Sequence, residues 1–410
     1  MKQSEKIWCR TFQTALRIAL PFLPYRTPLT LDGISTLPVF LRRCGADRVL
    51  LVTDRGIRSR GISEPLESAL ERSNIFCTVY DGTVANPTTT NVAEALELYR
   101  KNGCKAIIGL GGGSSMDCAK ATGARVARPN TPLGRMEGIL RVRRALPPLI
   151  AIPTTAGTGS ETTLAAVITD AETRHKYAIN DFPLIPRAAV LDPELTRTLP
   201  PFITATTGLD ALTHAVEAFI GRSTTRETRA AALEATELIF KYLDRAVEDG
   251  GDMEARRGML RAAFLAGSAF SKSYVGYVHA VAHSLGGKYN TPHGLANAVL
   301  LPIVLESYGG AVTHKLALLA EAAGIACGTE EESAADFIAA IREKLARYGI
   351  SEHLEGIDPA DIPELARYAA REANPLYPVP VLMDAKELEK FYYLVMEASE
   401  DASIQTGGAA

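Results

Sequence analysis

A chain of 410 residues exceeds what one hydrophobic core usually serves, so two domains are expected. Its apolar content of 47% and charged content of 22% are those of a globular protein, and a net charge of −3 excludes the basic surplus of a nucleic-acid binder. The six cysteines, Cys9, Cys44, Cys77, Cys104, Cys118 and Cys327, form no CxxC pair. That excludes a thiolate zinc knuckle and fits the reduced thiols of a cytoplasmic protein.

The most membrane-like stretch, "TALRIALPFLP" (14–24), is broken by Arg17 and Pro21 and is too short to span a bilayer. It also lacks a small-residue cleavage site. An amphipathic helix packed on the body is expected, with no membrane partner. From there to about residue 200, short β-branched runs alternate with helical stretches. "RVLLVTD" (48–54), "NIFCTVYDG" (74–82), "KAIIGLGGG" (105–113), "PLIAIPTT" (148–155), "LAAVITD" (164–170) and "RAAVLD" (187–192) read as strands. Several are apolar on both faces, as buried parallel strands are. "SEPLESALERS" and "TTNVAEALELYRKNG" between them read as helices, so this half is a doubly wound α/β layer.

After the Pro-rich stretch "TLPPF" (198–202) the pattern changes. "TRETRAAALEATELIFKYLDRAVEDG", "MEARRGMLRAAFLAGSAFSKS" and "EESAADFIAAIREKLARYG" space their apolar residues by three and four, so the second half is helical. The expected organisation is an N-terminal extension (1–26), a dinucleotide-binding α/β domain (27–200), a helical metal-binding and catalytic domain (201–400) and a flexible polar tail (401–410).

Two loops follow strands. In "IIGLGGGSSMDCAKATG" consecutive glycines let a backbone approach a phosphate, and a helix N-terminus supplies N–H donors. Ser114-x-x-Asp117 also fits a capping box, in which Asp117 secures the helix start. The second loop, "IPTTAGTGSETT", puts five threonines, a serine and two glycines within ten residues at a strand's carboxyl end. Each loop by itself is also compatible with a plain structural turn; together they favour a nucleotide cofactor.

The chain has seven histidines, and three fall within "YVHAVAHSLGGKYNTPHG" (277–294). His279 and His283 are four apart and share a helix face, as do Asp210 and His214 in "TTGLDALTHAVEAF". His293 follows in "TPHG". One carboxylate and up to four imidazoles make a ligand set for Fe2+ or Zn2+ with a position open for substrate. Spacing alone does not say which of His279 and His283 binds metal.

"GGGSSMDCAK", "PTTAGTGSE", "GLDALTHAVEAF" and "HAVAHSLGGKYNTPHGLANAVLLP", with "NPTTTNV" (86–92) and "NPLYP" (374–378), resemble the signatures of the iron-containing (group III) alcohol dehydrogenase family. The resemblance runs from about residue 27 to residue 400 and implies a Rossmann-like N-terminal domain with an all-α C-terminal domain, the dehydroquinate synthase-like fold. It puts the metal ligands on Asp210, His214, His279 and His293 and leaves His283 facing the nicotinamide. It assigns cofactor contacts to Asp54, Asn86, Gly112, Gly113, Ser114, Thr154, Thr155, Thr158 and Lys176, and pocket walls to Phe270, Ala165 and Ala166. The two alanines leave room for a medium-chain substrate. A homodimer or higher homo-oligomer is also implied.

The activity implied is NAD(H)-dependent and metal-dependent, with a small-molecule alcohol or aldehyde as substrate. Metal next to the alcohol lowers its pKa, and the cofactor carries the hydride. Asp54 ends "LLVTD" where a dinucleotide fold meets the adenosine ribose; a carboxylate there repels a 2′-phosphate and favours NAD, although Arg55 adjoins it. The competing readings are a dehydroquinate synthase or glycerol-phosphate dehydrogenase type, with Arg226 and Lys288 as isolated phosphate candidates, and a non-catalytic nucleotide-binding or assembly protein.

Overall fold

The computed structural model describes residues 1–396, so the tail expected over 401–410 lies outside the described residues. The chain opens with helix α1 (Gln3–Ala19), which has Glu5 in its first turn and Arg17 in its last, both suited to the helix dipole. Strands and helices then alternate: β1 (Leu29–Leu31), α2 (Leu37–Arg43), β2 (Arg48–Val52), α3 (Arg55–Ser59), α4 (Glu64–Arg72), β3 (Phe76–Tyr80) and α5 (Thr89–Lys101). Next come β4 (Ala106–Gly111), α6 (Gly113–Ala127), β5 (Gly138–Ile139), β6 (Leu149–Pro153), β7 (Ala165–Thr169), β8 (Lys176–Asn180) and β9 (Ala188–Val190). Helices follow: α7 (Pro201–Ile220), α8 (Arg226–Glu248), α9 (Met253–Ser273), α10 (Tyr277–Tyr289) and α11 (His293–Tyr308). The last four are α12 (Thr313–Ala322), α13 (Glu330–Arg347), α14 (Ile362–Ala373) and α15 (Ala385–Val395).

These elements form two compact units. The larger comprises Pro21–Ala215 and Arg226–Lys272; the smaller comprises Met1–Leu20, Val216–Thr225 and the chain from Ser273 onward. The larger unit contains a six-stranded sheet in the order β1-β9-β6-β4-β2-β3, parallel at every pairing. Its central strands β4 and β6 have no exposed position, which is why their sequences are continuous apolar runs. Leu50, Ile107 and Leu149 pack on one face with α5 and α6 residues, while Leu51, Ile108 and Ile150 pack on the other with Leu37, Leu41 and Leu66. Gly109 permits the close seat of α6, since a Cβ there would lie 3.0 Å from the Ala119 methyl and 3.2 Å from the Met116 Cα.

The run 164–170 does form a strand, but not in that layer. β7 joins a second, three-stranded sheet, β5-β8-β7, where it runs antiparallel to β8. Only Ala166 and Ile168 of β7 are fully buried, and the alternation marks a strand covered on one face. The apolar run concealed this because two of its outward residues are Ala165 and Val167.

In the smaller unit α10 packs against α11 and α14, α14 against α15, and α12 against α13. The stretch 293–311, covering α11, is long and apolar enough to cross a membrane, and more than half of it is buried within the fold. It is therefore a core helix, and it exceeds the N-terminal segment in membrane-like character. α1 is a helix as expected, but it turns Cys9 and the polar Gln13 inward and leaves the apolar Ile7, Trp8 and Ile18 exposed, so its apolar face is not the one packed on the body. All six cysteines are free thiols.

A glycine pair fixes the threonine-rich loop to α9. Gly159 has φ +59°, and a Cβ there would lie 2.6 Å from the Gly267 Cα. A Cβ on Gly267 would meet the Thr162 hydroxyl at 2.4 Å and the Gly159 Cα at 2.8 Å. Backbone rather than a flexible tip must move, so Gly267→Ala is expected to destabilise the fold by about 1–3 kcal/mol. Urea unfolding checks this as a lowered midpoint at unchanged slope; an unchanged midpoint would contradict it.

Candidate active site

At the carboxyl end of β4 the backbone turns through Gly111, whose φ is +145° and whose Cβ would collide with the Ser115 hydroxyl at 2.7 Å. Gly112 is the N-cap of α6 in extended conformation, and Gly113 opens the helix. The threonine loop faces this turn: positions for a Cβ on Gly112 and on Gly113 lie 3.9 Å from the Thr155 hydroxyl and 3.4 Å from the Thr158 methyl. Thr154 donates its N–H to the Gly111 carbonyl (3.1 Å), Thr158 accepts from the Ser160 N–H, and the buried Thr155 hydroxyl has no protein partner. Ser114 is half-buried beside Gly113.

Asp54 is the N-cap of α3. It accepts from the Ile57 N–H at 3.0 Å and from the Ser115 hydroxyl at 3.3 Å, so it adjoins the glycine turn. Arg55 is exposed. Asn86, at φ +57°, accepts from the Lys176 ammonium at 2.7 Å, forming a separate polar pair.

Asp117 does not complete a capping box with Ser114. Its carboxylate accepts from the Ser160 hydroxyl (3.1 Å) and from the Val167 N–H (3.1 Å), and so fastens the threonine loop and β7 to α6. Its neighbour Lys120 is buried and donates to the Ser160 carbonyl (2.7 Å), the Thr163 hydroxyl (2.7 Å) and the Ala165 carbonyl (2.9 Å). Burial lowers the Lys120 pKa to about 8 and raises that of the buried Glu161 to about 7. Sequence reading passed over both; a lysine in the otherwise buried run Met116–Ala124 was the available signal.

Asp210 and His214 lie one turn apart on α7, His279 lies in the first turn of α10, and His293 begins α11. Each offers one ligand atom, and the four atoms all lie within 4.8 Å of one another. The Phe270 ring stacks on His214 with centroids 4.2 Å apart and planes 15° apart. Of the two alanines expected as pocket walls, Ala165 is half-buried, whereas Ala166 is wholly buried in the core beside Ile168 and Ala121.

A residue absent from the sequence reading organises part of this cluster. Glu217, buried on α7, accepts from the N–H groups of Gly276 and Val278 (both 2.8 Å) at the start of α10, and from His279 Nδ1 at 2.6 Å. Burial pushes its carboxyl up to about 7, against the pull of those donors. Because His279 gives its Nδ1–H to Glu217, its Nε2 is the nitrogen left to act as a ligand. One carboxylate and three imidazoles within reach of one ion, one of them oriented by a carboxylate, fit a divalent transition metal. The signal was a glutamate three residues past His214 in an apolar helical run.

His283 stands beside the cluster. Its ring stacks on His293 (5.2 Å, 18°) and meets His279 edge-on (5.9 Å, 70°). Its Nδ1 donates to Glu372 at 2.7 Å, and Tyr377 donates its hydroxyl to the same carboxylate oxygen at 2.7 Å. Burial would raise the Glu372 carboxyl, but His283 and these hydrogen bonds hold it below the usual range.

A parallel sheet ending in a glycine turn, and a carboxylate–imidazole cluster carried on helices, are the parts of a metal-dependent dehydrogenase. Residues 29–193 match the family model described as iron-containing alcohol dehydrogenase, and residues 204–395 match that of the Fe-containing alcohol dehydrogenase family, C-terminal. The 1,3-propanediol dehydrogenase of Citrobacter freundii is 41% identical over 351 residues, covering 83% of this chain and 90% of that protein. The crystal structure of a 1,3-propanediol oxidoreductase superposes with a TM-score of 0.86 at 36% identity, over 91% of this chain and 98% of that one. The sulfoacetaldehyde reductase of Bifidobacterium kashiwanohense, solved in complex with NAD+, gives 0.81 at 29% identity, over 92% and 99%. The chain belongs to the iron-containing alcohol dehydrogenase family and is an alcohol dehydrogenase.

Replacing Glu217 by alanine removes the acceptor for two buried N–H groups and for His279. Metal affinity is expected to fall by about 10–100-fold, measured by competition with a chromogenic chelator. Glu217→Gln, which keeps one acceptor oxygen, should fall less; unaltered affinity in the alanine variant would show that His279 is oriented by other contacts.

Proposed function

We propose that this protein interconverts a primary alcohol and its aldehyde, with NAD(H) as hydride carrier and a divalent metal at Asp210, His214, His279 and His293. The observation that carries the reading is the convergence of those four ligand atoms in a chain of this family. The ion, Fe2+ with Zn2+ as the alternative, supplies Lewis acidity that lowers the alcohol pKa and polarises the carbonyl. NAD(H) as cofactor is supported by the NAD+ complex of the sulfoacetaldehyde reductase.

The chain's own residues bind, orient and handle the proton. Gly112, Gly113 and Ser114 offer N–H groups at the start of α6 to the pyrophosphate. Thr154, Thr155 and Thr158 complete that pocket, Asn86 and Lys176 form its polar flank, and Asp54 meets the adenosine ribose. Phe270 and Ala165 are the proposed substrate walls; Ala166 contributes through the core behind them. His283 takes up the alcohol proton. The working division is a cofactor domain over 27–200 and a catalytic domain over 201–400, in a cytoplasmic homodimer or higher homo-oligomer. The cytoplasm is supported by the six free thiols. A phospho-substrate reading is disfavoured because Lys288 is engaged by Asp361 at 2.9 Å.

Metal analysis combined with a coenzyme-absorbance assay across primary alcohols and aldehydes tests the proposal. Asp210→Ala and His293→Ala are expected to lose bound metal and turnover while still binding NADH, followed by its fluorescence. Full activity in metal-stripped protein would overturn the reading.

Coenzyme choice gives a second test. Asp54 is expected to give at least tenfold preference for NAD(H) over NADP(H) in kcat/KM, equivalent to about 1.4 kcal/mol. Asp54→Gly should admit NADP(H), at a helix-capping cost of only a few tenths of a kcal/mol. Equal use of both coenzymes by the unaltered enzyme would hand control of the site to Arg55 or another group.

A further inference from the structure

Lys120 and Asp117 lie one turn apart on α6, the helix whose first residues, Gly113 and Ser114, are the proposed pyrophosphate donors. Lys120 is 1% exposed. Its ammonium donates to the Ser160 carbonyl at 2.7 Å, inside the threonine-rich loop, and to the carbonyl of Ala165 at 2.9 Å, where β7 begins. The Thr163 hydroxyl between them takes the third N–H at 2.7 Å. Asp117 spans the same two segments, accepting from the Ser160 hydroxyl and from the Val167 N–H, both at 3.1 Å. The Ser160 hydroxyl also lies 3.1 Å from the Lys120 nitrogen, so it joins the two side chains to each other. The N-terminal extension adds a third hold: Tyr25 donates to the Thr162 carbonyl at 2.8 Å, under the Lys272 ammonium, which sits 4.6 Å from its ring.

A buried ammonium persists only where its N–H groups have acceptors and a counter-charge is near. Here three oxygens answer three N–H groups, and Asp117 Oδ1 lies 4.0 Å from the nitrogen. Such a network is met in full or fails as a unit. The end of the loop and the start of β7 therefore cannot shift independently. On one side of this unit is Thr158, a proposed coenzyme contact, whose hydroxyl accepts from the Ser160 N–H at 3.3 Å. On the other is Ala165, half-buried and a proposed wall of the alcohol pocket.

We propose that Lys120 is a positioning residue that couples the coenzyme loop to the substrate wall, setting NAD(H) affinity and chain-length preference together while touching neither ligand. The proposal rests on the reading of Thr158 as a coenzyme contact and of Ala165 as a pocket wall. Without the ammonium, the carbonyls of Ser160 and Ala165 lose their shared donor. The hydroxyls facing the glycine turn are then no longer held in advance of the coenzyme, and the wall at Ala165 grips an alkyl chain less closely. A role confined to folding would lower the amount of active protein and leave both preferences as they are.

The test uses zinc-loaded full-length protein and three readouts. These are NADH affinity from coenzyme fluorescence, kcat/KM for primary alcohols from ethanol to hexanol, and hydrogen exchange of amides 154–167 without ligand. Lys120→Met keeps the length of the side chain and loses its donors. It is expected to weaken NADH binding about tenfold, to lower the hexanol-to-ethanol ratio of kcat/KM about tenfold, and to speed exchange across 154–167. Asp117→Asn, which keeps one acceptor oxygen, should move all three in the same direction to a smaller degree, and it decides the matter if Lys120→Met does not fold. Arg256→Met removes a comparably buried cation, bonded to the Thr204 hydroxyl at 2.8 Å and to neither segment. It should lower stability and leave affinity and ratio in place. Faster exchange with unchanged affinity and ratio would overturn the proposal and leave Lys120 a structural clamp. A change in affinity alone would overturn the link to the substrate wall. If the unaltered protein neither binds NADH nor oxidises alcohols, the functional reading fails first and the proposal falls with it, a result distinct from the other two.

Discussion

A buried carboxylate must have its charge met by donors, and Glu217 is where that requirement shapes the helices that carry the histidine cluster. Its oxygens receive two N–H groups from the first turn of α10 and the Nδ1–H of His279. The helix start, the direction of α10 and the ligand nitrogen of His279 are thereby fixed by one side chain. Gly276 belongs to the same arrangement, because a Cβ there would lie 2.6 Å from the Glu217 carboxylate. An unpaired buried carboxylate would cost several kcal/mol, so α10 and Glu217 hold each other in place.

The loops at the carboxyl end of the parallel sheet obey the same rule with the charge reversed. Lys120 is an ammonium enclosed by carbonyl and hydroxyl oxygens from the threonine loop and β7, and Asp117 ties the same two elements to α6. Loops over a parallel sheet are ordinarily the mobile part of an α/β fold. Here the loop from Thr154 to Thr163 is clamped from below by a lysine and from the side by the Gly159–Gly267 contact. Its hydroxyls are consequently held in position opposite the glycine turn before any ligand arrives, which reduces the ordering cost of binding.

What was legible in the sequence follows from what is local. The strands β2, β4 and β6 announced themselves as apolar runs, and α5 as the helical stretch between two of them. The i,i+4 pairs of Asp210 with His214 and His279 with His283 likewise lie within single helices. The missed features all depend on partners distant in the chain. β8 (KYAIN) is short and polar-ended, so only its pairing with β7 reveals it. Asp117 had a plausible local partner in Ser114 and a better one in Ser160, which lies 43 residues away. Glu217 and His279 are 62 residues apart, and Glu372 and His283 are 89 apart. No periodicity carries such pairings.

The two histidines that spacing could not distinguish are separated by what holds their other nitrogen. His279 donates to a buried carboxylate that is also bound to helix N–H groups, and its ring has no freedom to leave the cluster. His283 donates to Glu372, a partly exposed carboxylate that Tyr377 also holds. A ligand nitrogen gains from rigidity and exclusion of solvent, which keep the donor aimed and its lone pair available. Four residues of helix therefore separate two environments, and the difference lies in the partner each ring was given.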